Sequence, residues 1–171
     1  MHLRTINTIA LSVIIWLTNP ALAEGALETF HDEAGMASFE LEGINNQLHR
    51  LTDYQGKVVL VNFWASWCSP CIREIPSMQR LDESLLNRPF EIVAINVSEP
   101  KRSVIRQLKR INMTFTVLFD QEGKTFKQWQ SKILPTSFLL DKNGHIRYQA
   151  QGPLEWDTAE VTEIIDKLLI E

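Results

Sequence analysis

Val58-Val59-Leu60-Val61-Asn62-Phe63-Trp64-Ala65-Ser66-Trp67-Cys68-Ser69-Pro70-Cys71 holds both cysteines of this 171-residue chain. Its first half, Val58 to Trp64, is almost unbroken apolar sequence and predicts a strand buried on both faces, in the middle of an α/β sheet. Its second half opens a helix. The spacing predicts one from about Ser69 to Leu86, with Ile72, Ile75, Met78, Gln79, Leu81 and Leu85 on or near one stripe. Pro70 suits a first helical turn, while Pro76 removes a helix hydrogen bond and predicts a kink. A Cys-x-x-Cys at such a strand-to-helix junction is the arrangement of a dithiol/disulfide switch. The thiolate is the reactive species, a helix N-terminus favours negative charge, and one turn brings the sulfurs together. A half zinc site and a structural disulfide compete with that reading. Zinc takes four ligands, and His2, His31, His49 and His145 show no ligand spacing to each other. A disulfide closing so short a loop constrains the unfolded chain little. The pair therefore reads as working thiols.

Outward from this stretch, Ala37 to Leu41 alternates as a short strand and Gln47 to Leu51 reads as a second, with a turn over Asp53 to Gly56. Glu91 to Val97 is another buried strand. Pro100 starts a helix through Ile111, whose apolar face is Val104, Ile105, Leu108 and Ile111. Thr116 to Phe119 reads as a strand and Gly123 to Gln130 as helical. Thr136 to Leu140 is a strand, Asp141 to Gly144 a hairpin turn, and His145 to Gln149 the returning strand. Asp157 is placed to N-cap a final helix with Val161, Ile164, Ile165 and Leu168 inward. These elements predict an α/β fold, a mixed sheet with helices on both faces.

The N-terminus reads as a secretory signal over residues 1–23. Arg4 is the only Lys or Arg before Arg50, Ile6 to Leu17 is largely apolar, Asn19-Pro20 breaks the helix, and Ala21-Leu22-Ala23 has the small-x-small cleavage pattern. An uncleaved signal anchor is the alternative. Residues 24–35 lack strand alternation and read as a leader segment, partly ordered at best, with one domain over 36–171. Export would place the two cysteines in an oxidising compartment, the periplasm or the extracytoplasmic side of the membrane. The net charge of −4 makes no general demand for nucleic acid.

The run Gly56 to Pro76 resembles the thioredoxin superfamily, most closely its exported TlpA/ResA-like branch. Leu134-Pro135-Thr136-Ser137-Phe138 is similar to that superfamily's cis-proline segment, and Gly152-Pro153-Leu154-Glu155-Trp156 to a late element of the branch. The resemblance implies a thioredoxin fold with a five- or six-stranded sheet and a thiol–disulfide oxidoreductase acting without a bound cofactor or metal. It implies an exposed attacking thiolate at Cys68 and a more buried resolving thiol at Cys71. Trp67, Ser69, Pro70, Leu134 and a cis Pro135 would form the surface on which a partner docks. The superfamily often places a buried carboxylate six residues before the first cysteine. Here that position is Asn62, which cannot take a proton, and Glu74, one turn past Cys71, becomes the candidate for tuning the dithiol. A surface Glu is the competing reading.

With Ser-Pro between the cysteines and no positive charge there, the expectation is a reductase. It would be fed by a membrane electron donor of the DsbD/CcdA type and act on protein disulfides such as those of apocytochrome c or copper-site cysteines. A redox-silent binding module, or a copper chaperone using both thiols as ligands, is the rival. Lys101, Arg102, Arg106, Lys109 and Arg110 form a basic run on one amphipathic helix. It reads first as a solvated face and secondarily as a docking patch for an acidic partner.

Overall fold

The computed structural model describes residues 25–30, 38–111 and 113–171. The expected signal segment therefore lies outside the described residues.

The Val58–Trp64 run is strand β4 of an eight-stranded sheet, and each of its seven residues is buried. The others are β1 (Leu27–Thr29), β2 (Glu40–Gly43), β3 (Leu48–Arg50), β5 (Phe90–Val97), β6 (Thr116–Asp120), β7 (Thr136–Leu140) and β8 (Ile146–Gln151), in the spatial order β1-β8-β7-β4-β5-β6-β2-β3. β4, β5 and β6 are parallel, and every other pairing is antiparallel. This is the expected mixed sheet, but wider than the five or six strands anticipated. The β2–β3 hairpin extends one edge through β6, and β1 adds to the other.

Within the expected leader, residues 24–35, the structure places the short strand β1. Leu27, Glu28 and Thr29 lack alternation because they form an edge strand with little burial on either side, held by backbone pairing to Tyr148–Ala150.

Crossovers between parallel strands set the helix layers. Helix α1 (Ser69–Ser84) links β4 to β5, and α2 (Lys101–Ile111) links β5 to β6. Both pack with the terminal helix α4 (Ala159–Ile170) over one face, in a core that includes Leu60, Trp64, Ile75, Met78, Ile92 and Ile165. The other face carries α3 (Lys124–Gln128), the 3-10 turn Leu51–Tyr54 and an aromatic cluster. In that cluster Phe63, Trp129 and Phe138 meet edge to face. α1 continues through Pro76.

α4 is capped by Thr158, whose side chain accepts the Val161 N–H, and not by Asp157. Asp157 instead receives the Arg80 guanidinium at 2.5 Å from α1. A charged partner across the helix layer took the carboxylate that local sequence had assigned to the cap.

Candidate active site

β4 ends beneath a tight turn, in which the Cys68 N–H donates to the Ala65 carbonyl, and α1 begins one residue later. Cys68 is the N-cap of α1. Its Sγ lies 3.3 Å from the Cys71 backbone nitrogen, with Ser69 and Pro70 forming the first turn. Cys68 and Cys71 are joined in a disulfide with Cα atoms 5.3 Å apart. The expected exposure of Cys68 needs correction. Cys68 is only 4 % exposed and Cys71 1 %, because both pack into the apolar cluster of Trp64 and Ala65. The order of burial matches expectation, but access to Cys68 is narrow.

Trp67 is the exposed neighbour, with 70 % of its surface free. With Val97, Phe126, Ile133 and Leu134 it lines a groove of about 440 Å³. The Leu134–Pro135 bond is cis. Thr136 pairs with Phe63, so buried Pro135 sits one residue beyond, at the β4 end from which the cysteine turn emerges. The Pro135 carbonyl accepts the Gly152 N–H. Gly123, at φ +66°, forms part of the groove wall, where a Cβ would approach Ser98 Oγ to 2.8 Å.

Glu74 is not on the surface. It is 2 % exposed on the inner side of α1. Asn62 Nδ2 donates to its Oε1 at 2.8 Å, and the Leu154 N–H and Trp156 indole N–H reach its Oε2 at 3.2 and 3.3 Å. Burial pushes its carboxyl up to about 7, and the three donors hold it from rising further. Asn62 also donates to Ser137 Oγ, its cross-strand neighbour on β7. The Asn that replaces a carboxylate in the strand thus orients the carboxylate on the helix. The Leu154–Trp156 segment closes over the same group.

A second buried carboxylate escaped sequence reading. Glu99, 8 % exposed at the end of β5, accepts the Ser66 N–H at 2.6 Å, the Ser66 hydroxyl at 2.5 Å and Asn96 Nδ2 at 2.8 Å. It grips the turn two residues before Cys68. Asn96 lies opposite Trp64 in the β4–β5 register. Asn96 Oδ1 and Trp64 Nε1 have no hydrogen-bond partner among the described residues. The visible signal was a polar Asn within an apolar strand, with a Glu three residues on.

A disulfide spanning one helical turn, capping that helix at the end of a central strand and backed by a buried carboxylate, defines a thiol–disulfide oxidoreductase on a thioredoxin-like scaffold. Comparison with known proteins agrees. The model of the AhpC/TSA family matches residues 34–149. The thiol-disulfide oxidoreductase ResA of Geobacillus kaustophilus is 38 % identical over 122 residues, 71 % of this chain and 70 % of its own length. That of Geobacillus thermodenitrificans is 41 % identical over 116 residues, 68 % of this chain and 67 % of its own. The crystal structure of StoA from Bacillus subtilis superposes with a TM-score of 0.63 at 25 % identity, covering 79 % of this chain and 97 % of StoA. The chain belongs to the AhpC/TSA family of the thioredoxin superfamily, alongside the ResA-type thiol–disulfide oxidoreductases.

Proposed function

We propose that this oxidoreductase works as an extracytoplasmic protein-disulfide reductase, in the periplasm or on the outer side of the membrane. The Cys68 thiolate attacks a partner disulfide. One partner sulfur leaves as a thiolate and the other stays bonded to Cys68 Sγ. Cys71 then gives up its proton and attacks Cys68 Sγ, which restores the intramolecular disulfide and releases the second partner sulfur. The partner gains two electrons and the enzyme loses two. A membrane donor of the DsbD/CcdA type would return the enzyme to the dithiol. Apocytochrome c and copper-site cysteines are the substrate classes the resemblance suggests.

The observation that carries this reading is Glu74. It is a buried carboxyl on the same side of α1 as Cys71, with a proton affinity matched to neutral pH, suited to take the Cys71 proton during resolution. Trp67, Ser69, Pro70, Leu134 and Pro135 would form the docking surface. Leu134, at the groove, would turn its backbone outward to pair with an extended segment of the partner, in the manner of strand addition.

The direction of electron flow follows from what stabilises the thiolate. Cys68 has the helix N-terminus and no cation between the cysteines. Titration of the Cys68–Cys71 couple against glutathione, with an insulin-reduction assay, tests this. The expected potential lies much nearer about −270 mV than about −120 mV. A value at the upper end reverses the assignment, and a chain inert toward disulfides removes it.

A further inference from the structure

α2 carries charge in a way the other long helices do not. From Lys101 to Phe119 the chain has five Lys or Arg residues and no Asp or Glu. Lys101 is used internally: its Nζ donates to the Gly43 carbonyl and to Asn46 Oδ1, and lies over the Phe119 ring. Arg102, Arg106, Lys109 and Arg110 are exposed, and none makes an ion pair or hydrogen bond with a described residue. Cations elsewhere are often engaged, as in Arg80 with Asp157 and Arg88 with Asp166.

Positions 102, 106, 109 and 110 fall within roughly 100° of one another around the helix, opposite the apolar face of Val104, Leu108 and Ile111. They form a ridge about 12 Å long. Like charges four apart repel, and Arg102 in the first turn is further opposed by the helix dipole. The helix dipole accounts for Lys109 and Arg110 in the last turn, but for neither Arg102 nor Arg106. The fold maintains four adjacent cations with no compensating acid among the described residues, in a chain of net charge −4.

We propose that the outer face of α2 is a contact surface for an anionic lipid bilayer. The ridge is straight and lies on the outward side of a helix whose apolar side is committed to the core, so it suits a flat charged surface and cannot insert. Binding is electrostatic, peripheral and reversible. α2 runs back along the sheet from the end where Glu99 holds the cysteine turn. A bilayer along the ridge would therefore lie over the helix that begins two residues after Glu99, the residue that holds the cysteine turn. The N-terminal apolar run, whether it is a cleaved signal or an anchor, would deliver the chain to such a surface.

The test is co-sedimentation of the full chain with phosphatidylglycerol-containing vesicles and with pure phosphatidylcholine vesicles. Because the apolar N-terminus can bind both, the quantity read is the increment due to phosphatidylglycerol. That increment is expected at low ionic strength and shrinks steeply with added salt. Arg106→Glu lowers it at least about fivefold. Lys167→Glu, the same charge change on α4, leaves it largely intact. Insulin reduction by both variants stays at the wild-type rate, which shows that the fold is retained. Equal binding to the two lipids, or an increment indifferent to Arg106→Glu, overturns the proposal. So does an effect of Arg106→Glu on exchange with a protein partner in the absence of any vesicle effect, which would give the ridge to an acidic protein surface.

Discussion

The cysteine turn stands between two buried glutamates that differ in what their hydrogen bonds hold. Glu74 receives one donor from β4, twelve residues earlier, and two from the segment before α4, some eighty residues later, and none of the three lies within the turn itself. Those donors keep a carboxyl in place without fixing its charge, and burial leaves it poised near neutrality. Glu99 receives two of its three donors from Ser66, so its carboxylate fastens backbone. Neither has a cationic partner among the described residues. The contrast teaches that burial alone does not give a carboxylate its role. On the proposed function, the donors of Glu74 from β4 and the segment before α4 suit a carboxyl that takes a proton, whereas the donors of Glu99 from the cysteine turn suit a clamp.

The largest expected effect lies with the disulfide that both groups serve. Cys68→Ser should abolish exchange, whereas Cys71→Ser should attack once and accumulate mixed disulfides, visible on non-reducing gels. Identical trapping by the two variants breaks the division of labour on which a role for Glu74 depends.

Glu74→Gln should slow resolution of the mixed disulfide by up to about 10²-fold and flatten its pH dependence near 7, measured by stopped flow. The same group predicts a stability change. Its folded pKa lies above its unfolded value, so the folded chain holds the proton more tightly. Stability from this group is complete below pH of about 4.5 and is lost as pH rises toward about 7, by on the order of 3 kcal/mol. Urea titrations across that range should show the decline in wild type and not in Glu74→Gln. A decline of equal size in both would place its origin elsewhere.

For Glu99 the informative pair is Glu99→Ala and Glu99→Gln. The Gln amide oxygen can still accept from the Ser66 N–H and Asn96, while its NH2 donates to a Ser66 hydroxyl turned to accept. A clamp therefore predicts exchange about tenfold slower in the Ala variant, as expected when a reacting group is misplaced, and close to wild type in the Gln variant. If both fall equally, the charge of Glu99 matters and the contrast with Glu74 fails. The smallest effect lies away from both carboxylates. Thr158→Ala should cost about 1 kcal/mol as a lost helix cap. Asp157→Ala, removing an exposed pair, should cost less than about 1 kcal/mol.

The cysteine switch, the central buried strand, the helix that follows it and the order of most elements could be read directly, because each rests on local periodicity: two-residue alternation, unbroken apolar runs or a helical stripe. Glu74 could be nominated from its one-turn spacing to Cys71, but not its burial, which depends on Trp156 and Leu154 folding back some eighty residues later. β1 was invisible because an edge strand is specified by a neighbour's unpaired backbone rather than by its own side chains. Asp157 and Thr158 are adjacent and both able to cap. Only Arg80 on another helix decided between them. Glu99 and Ser66 lie 33 residues apart and meet because β4 and β5 are parallel neighbours. The sequence by itself therefore determined the reaction class and the scaffold, whose signals are short-range. The protonation of Glu74, the clamp on the turn and the depth of Cys68 depend on donors and apolar surface from distant segments, and only the tertiary structure decided them.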